Sequence, residues 1–291
     1  MDEETRYWIG FSVFPGIGPV RFRILLDYFG SAKSAWHGSQ TDLRTLHLPE
    51  RLVSEFIAFR NTFDHDAYER QLHEKHVGVL TLNHKKYPSR LKEISDPPFV
   101  LYVKGNKNAY PINMDKTVGV VGTRQITQYG RDVTIQIVKG LVSHGYTIVS
   151  GLAYGVDAVA HKTAIEHGGN TIAVLGCGID IIAPVGNARL YRAIEQGNGA
   201  IVSEMPLGLR PEKGLFVARN RIISGLSRGV VITEGAAHSG SMITAKNALE
   251  QGREVFAVPG PITSSLSQGP LILLKNGAKL VESAEDIIEE L

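Results

Sequence analysis

From Val118 onwards the chain repeats one pattern: a short, near-continuous apolar run, then a longer stretch of helical periodicity. The runs are Val118–Val121, Tyr146–Val149, Thr171–Leu175, Ala200–Val202, Val230–Thr233 and Val255–Val258. Between the first two, Val133, Ile137, Val138, Leu141 and Val142 share one helical face. A strand apolar on both sides must be covered on both faces, and parallel neighbours need a crossover helix. The pattern predicts an α/β fold with a doubly wound, mostly parallel sheet over residues 73–291. Two earlier β-rich runs, Val77–Leu82 and Phe99–Val103, read as an extension of it, with Asp96, Pro97 and Pro98 as a stiff turn between them. Gly105–Asp115 is polar and reads as a loop.

Residues 1–72 have no such alternation and read as a separate, small all-helical domain. Phe22, Leu25, Leu26 and Phe29 recur at helical spacing, and Gly30 ends that helix. Pro15–Pro19, with glycines at 16 and 18, joins two predicted helices. It resembles the turn of helix-hairpin-helix modules, whose glycines bring backbone N–H groups to a phosphate. Only Arg21 and Arg23 lie nearby as cations, so a protein-contacting or purely structural domain is an equal reading.

The formal net charge is only +2, so no whole-surface field would draw the protein onto nucleic acid. Any such role must rest on a local basic patch. The single cysteine, Cys177, excludes an intrachain disulfide framework and cysteine-cluster zinc sites, and fits a reducing cytosol. The N-terminus is acidic, and no apolar run approaches the ~20 residues of a membrane span. The expected location is cytoplasmic.

In an open parallel sheet, ligands sit beyond the carboxyl ends of the strands. The loops there are rich in glycine and small hydroxyls: Gly122, Thr123 and Arg124; Ser150 and Gly151; Ser239, Gly240, Ser241 and Thr244. Glycines let a backbone approach a ligand, and helix N-termini present N–H groups to phosphate. Neither the dinucleotide fingerprint nor a P-loop is present. Arg124, at a strand end, is expected to point into the crevice as an anion contact. Asp157 and His161, one helical turn apart, read as a hydrogen-bonded structural pair ahead of an acid/base dyad. Glu234 could be catalytic or could order a loop. His238 reads as a loop residue, Cys177 as buried and inert, and Lys246 and Lys275 as solvated helix charges.

One cluster offers more. Lys213, Phe216, Arg219, Asn220 and Arg221 fall within a few helical turns, just after Arg210. Cations suit phosphates, a ring suits a base, and an amide suits a base or sugar edge, which is how a single strand is held. The plain alternative is an amphipathic helix with Phe216 and Ile222 in the core. Asn220 and two arginines interrupt the apolar face that alternative needs.

Taken together, the motifs resemble the DNA-processing protein A (DprA, or Smf) family. The matching segments include Tyr87–Leu91, Asp96–Pro98, Val121–Arg124, Ser150–Asp157, Thr171–Gly176, Ser203–Glu204, Arg219–Ile223, Ser239–Ala245 and Val258–Gly260. The resemblance implies an extended Rossmann-like domain behind a sterile-alpha-motif-like or helix-hairpin-helix domain. It implies a non-enzymatic recombination mediator, without cofactor or metal. Such a protein binds incoming single-stranded DNA in natural transformation and loads the RecA recombinase against single-strand-binding protein. It makes Arg124 a phosphate contact, Lys213 a second pocket cation and Phe216 the stacking ring. The chain departs from the family at Ala183–Pro184 and Phe216–Val217, where Tyr-Pro and Phe-Pro are frequent. The winged-helix-like C-terminal domain of some members is not in the sequence, so duplex binding through it is not expected.

A single site holding few nucleotides binds weakly, so useful affinity predicts a dimer engaging one strand twice. Leu271, Ile272, Leu273 and Leu274 on one helix point all round it. They predict a symmetric interface using Leu249, Leu271, Leu274 and Leu280, against burial within one subunit. The competing function is a Rossmann-like nucleotide hydrolase of the phosphoribohydrolase type. The closest segment, Glu234–Thr244, lacks that group's Pro-Gly-Gly-x-Gly-Thr pattern.

Overall fold

The computed structural model describes residues 1–105 and 115–291. The loop expected over 105–115 falls, for residues 106–114, outside the described residues.

The helical start comprises α1 (Glu3–Val13), α2 (Pro19–Phe29), α3 (Ala32–His37), α4 (Gln40–Thr45), α5 (Glu50–Thr62) and α6 (His65–Glu74). Short polar residues cap four of them: Asp2, Ser31, Ser39 and Asp64 each accept a backbone N–H of the first turn. Gly30 closes α2 in the left-handed conformation. Trp8, Phe11, Phe22, Trp36 and Phe56 fill the centre, with Phe11 stacked on Phe56 at 5.0 Å. In the turn between α1 and α2, Gly16 has φ +95, and Arg21 donates back to the Gly16 carbonyl at 2.6 Å.

The remainder is β1 (Gly78–Thr81), α7 (Ser89–Lys92), β2 (Val100–Gly105), β3 (Thr117–Val121), α8 (Gln128–Ser143), β4 (Thr147–Ser150), α9 (Val156–Glu166) and β5 (Thr171–Leu175). It continues through α10 (Ala188–Gln196), β6 (Gly199–Ser203), α11 (Lys213–Leu226), β7 (Gly229–Ile232), α12 (Gly240–Glu250), β8 (Glu254–Ala257), α13 (Gln268–Lys275), β9 (Lys279–Leu280) and α14 (Glu285–Ile288). Among the described residues, nine strands form one sheet in the order β1-β2-β6-β5-β4-β3-β7-β8-β9. The neighbours from β6 to β9 are parallel. β1 and β2 extend the sheet by antiparallel pairing onto β6. The six apolar runs thus become β3 to β8. The two-residue edge strand β9 has no sequence signal, being too short to show alternation.

Strand residues alternate between two cores, as a period of two requires. Val230 and Ile232 pack with Ile222, Ile223 and Ala245 of α11 and α12. Val231 packs on the other face with Ile137, Val138 and Ala160 of α8 and α9. The α1–α6 region joins the sheet through a shared hydrophobic cluster. Phe22 stacks on Phe99 at 4.1 Å, and the Ser12 and Tyr102 hydroxyls lie 2.6 Å apart. The winding runs outward from β3 to β6, then returns through α11 to β7 beside β3. That reversal opens a crevice at the carboxyl ends of β3 and β7.

Candidate functional site

The crevice is a cavity of about 740 Å³. Its walls come from three elements: Gly122–Gln125 after β3, Lys213 and Phe216 at the start of α11, and Ser239–Ser241 leading into α12. The loop after β3 is clasped by its neighbours. The Thr123 N–H donates to the Glu234 carbonyl at 2.7 Å, and the Val156 N–H donates to the Thr123 carbonyl at 3.1 Å. No side chain fits at Gly122, where a Cβ would stand 2.6 Å from the Glu234 carbonyl oxygen. Gly155, at φ +76, lets α9 start hard against the Thr123 carbonyl.

Arg124 and Phe216 meet across the mouth. The guanidinium lies 5.7 Å from the ring centroid. Arg124 and Lys213 are exposed, and neither enters an ion pair among the described residues. Phe216 is partly exposed, so its face is usable. Beyond them stands the first turn of α12, which no side chain caps and whose Gly240 and Ser241 line the cavity. The Ser239 and Ser241 hydroxyls sit 2.6 Å apart at that turn.

The other residues of the α11 cluster do different work. Arg219, expected as a ligand contact, is 4 % exposed. Its Nη1 donates to the carbonyls of Val174 and, at 2.6 Å, Gly151, tying together the ends of β4 and β5. Burial lowers its pKa to about 10, opposed by the nearby Asp157 carboxylate. Asn220 is buried and donates to the Gly240 carbonyl at 3.1 Å, holding the α12 turn in position. Both reach the cavity floor, but Arg219 Nη1 and Asn220 Nδ2 are committed to backbone carbonyls, and Arg219 Nε donates to Asn220 Oδ1 at 3.3 Å. Arg221 lies outside the cavity: it pairs with Glu204 at 2.6 Å and Asp96 at 2.8 Å. Burial would lower its pKa, but the two carboxylates outweigh that and raise it. Ser150 and Gly151 do not line the cavity either. Ser150 is fully buried and donates to the Val120 carbonyl at 2.7 Å. Gly151 lies directly against the Arg219 guanidinium. A helix presents successive residues about 100° apart, so five neighbours cannot all face one cavity.

Asp157 and His161 are not hydrogen-bonded to each other. Asp157 accepts the N–H groups of Gly151 at 3.1 Å and Ala153 at 3.4 Å, which shapes the turn after β4. Burial raises its pKa, with Arg219 pulling the other way. His161 faces Thr171 Oγ1 at 2.7 Å, and burial lowers its pKa to about 3, so the ring is neutral. Glu234 orders a loop: its carboxylate accepts the Thr127 N–H at 3.0 Å and the Thr127 hydroxyl at 2.7 Å. Cys177 is buried, and burial pushes its thiol to about 11. His238 is an exposed residue of the cavity rim. Lys246 is an exposed partner of Glu250, and Lys275 is exposed in the last turn of α13.

Two contributors are not singled out as site residues by the sequence. Gln125 lines the cavity beside Arg124. Asn187 donates to the carbonyls of Leu152 at 2.9 Å and Ala153 at 3.2 Å, bracing the turn after β4 from a distance no local pattern reports. Among the described residues, no three His, Cys, Asp or Glu side chains gather as metal ligands would, and no helix is long and apolar enough to cross a membrane.

Residues 78–291 match the family model described as DNA recombination-mediator protein A. Protein Smf of Synechocystis is 38 % identical over 100 % of this chain and 73 % of its own length. DNA processing protein DprA of Bacillus subtilis is 44 % identical over 75 % of this chain and 72 % of its own. The fold is similar to the crystal structure of DNA processing protein A from Streptococcus pneumoniae, with a TM-score of 0.85, 35 % identity and 98 % of each chain covered. It is also similar to DNA processing protein A from Helicobacter pylori, solved for its single-stranded DNA binding mode. That likeness has a TM-score of 0.65 at 31 % identity, over 74 % of this chain and 94 % of the other.

Proposed function

This chain belongs to the DNA recombination-mediator protein A family, and from that premise we propose that its switch-point cavity binds single-stranded DNA without sequence preference. The observation that carries the reading is the meeting of Arg124 and Phe216 at the cavity mouth. A base stacks on Phe216 in place of the Arg124 guanidinium, which turns to the flanking phosphate. Lys213 takes a second phosphate, and the open first turn of α12 supplies neutral donors. Arg219, Asn220 and Asp157 keep the three walls in register. Every base has a π-face and every nucleotide a phosphate, so the contacts tolerate any sequence. A duplex offers no unstacked base to the ring.

The strand so held is handed to the RecA recombinase in competition with single-strand-binding protein, and the protein is a mediator, not an enzyme. The family resemblance supports this part of the reading. The protein acts as a homodimer, a reading supported by the exposure of Leu249 on α12 and Leu280 on β9, 60 % and 46 %, with Leu271 and Leu274 half-buried on α13. The hydrolase reading meets an obstacle in Glu234, whose two oxygens are already engaged by Thr127. Release of free base from nucleoside monophosphates, lost on Glu234→Gln, is the result that would restore it.

Fluorescence anisotropy of labelled oligo-dT against a duplex of equal length, over a salt series, tests the binding reading. The expected result is salt-sensitive binding of the single strand ahead of the duplex. Equal or absent binding of both overturns it.

A further inference from the structure

A second cavity, of about 690 Å³, shares the Arg124–Gln125 wall with the first. It lies between the N-terminal half of α8, the outer face of α9 and the start of α10. Arg131, Lys162 and Arg189 project from those three helices, and all three are exposed. Lys162 has a loose partner in Glu166, at 3.6 Å and exposed like itself. Arg131 and Arg189 enter no ion pair among the described residues. Glu166 and Asp132 are the acids nearest in sequence, and the Asp132 carboxylate is engaged by Gln128 at 2.8 Å. Three cations from three helices around one cleft are not a solvated stripe along a single helix. In a chain of net charge +2 they form a local positive concavity.

An aromatic ring stands at the edge of the second cavity, against Gly186 of its lining. Tyr154 is 49 % exposed, and its neighbours Ala153 and Gly155 line the first and second cavity respectively. Its ring lies against Gly186, where an added Cβ would meet the hydroxyl at 2.7 Å, so the glycine is what lets the ring approach there. The two cavities meet at Arg124 and Gln125, and cation, ring, then cations again is the arrangement that tracks a single strand beyond one base.

We propose that the strand leaving Phe216 crosses Arg124 and Tyr154 and that its next phosphates lie on Arg131 and Arg189, making the second cleft a further nucleotide subsite. The proposal rests on the reading of the first cavity. Its test therefore uses two lengths of labelled oligo-dT: about four nucleotides, enough for the first cavity, and about twelve, enough for both. The Arg131→Gln, Arg189→Gln double variant changes only exposed side chains. Each lost phosphate contact weakens single-strand binding about fivefold at 0.1 M salt and lowers the salt slope by about 0.7. The expected result is about 25-fold weaker binding of the longer strand, a slope lower by about 1.4, and unchanged binding of the shorter one. Parental binding of the longer strand overturns the proposal. Equal weakening of both lengths also overturns it, since the arginines would then act as a diffuse field. The first-cavity reading fails separately, if Phe216→Ala leaves both lengths bound as before.

Discussion

The guanidinium of Arg124 stands 5.7 Å from the centre of the Phe216 ring, although the two residues come from different crossovers of the sheet. The loop after β3 supplies the charge and α11 supplies the ring. Neither element makes the cavity mouth alone.

In the proposed binding mode these two groups make separable contributions. Phe216→Ala should cost about 1–3 kcal/mol of single-strand affinity, the range of one base–aromatic stack, with an unchanged salt slope. Arg124→Ala should lower the slope by about 0.7, one phosphate contact. Anisotropy titrations across a salt series read both quantities, and two variants that bind like the parent would remove the assignment.

Arg219 and Arg221 are two positions apart and should differ in readout. Arg219→Met leaves the Gly151 and Val174 carbonyls without their donor, at about 1–3 kcal/mol for each buried group. It also frees the turns that frame the cavity, so stability and DNA affinity should fall together. Arg221→Met strands the half-buried Glu204 carboxylate and should cost about 3–5 kcal/mol of stability. Its DNA affinity, measured on the folded fraction, should stay parental. Urea denaturation beside anisotropy tells them apart, and an affinity loss in folded Arg221→Met would contradict its position outside the cavity.

His161 gives the fold an acid-sensitive element. Its pKa falls from the ordinary 6.5 to about 3 because burial excludes the charged ring. The unfolded chain therefore binds the proton first. The stabilising effect is complete above pH 6.5 and is lost as the pH falls towards about 3. The slope should be about 1.4 kcal/mol per pH unit within that window. Asp157, whose pKa is raised, works in the opposite sense, so the readout is the difference between the parent and His161→Gln. The variant should have the shallower profile between pH 6.5 and 4. Parallel profiles would mean that the folded protein admits the proton.

The exposed leucines bear on assembly. Light scattering should give the parent twice the chain mass, and Leu249→Glu with Leu280→Glu should give the single mass while far-ultraviolet circular dichroism stays native. Both side chains are substantially exposed within one chain, so the substitutions leave its core alone. A parent that runs at the single mass ends the dimer reading.

Much of this was legible along the chain. The parallel core strands were visible because a strand buried on both faces is apolar at every position, and β3, β5 and β7 are fully buried. The helical start, the glycine-rich turns at the carboxyl edge, and Arg124, Lys213 and Phe216 could be picked from residue type and spacing. Sequence neighbourhood could not reveal which residues of a cationic helix face the cavity. That depends on the rotation of α11, set by Ile222, Ile223 and Leu226 packing on the sheet. The rotation leaves Lys213 and Phe216 at the cavity, buries Arg219 against two strand ends and turns Arg221 to Glu204. Tertiary structure alone also brought Asp157 to the backbone rather than to His161, and set Arg131, Lys162 and Arg189 around one cleft. Local patterns record what each segment must bury, whereas the partners of a polar side chain are decided only when distant segments meet.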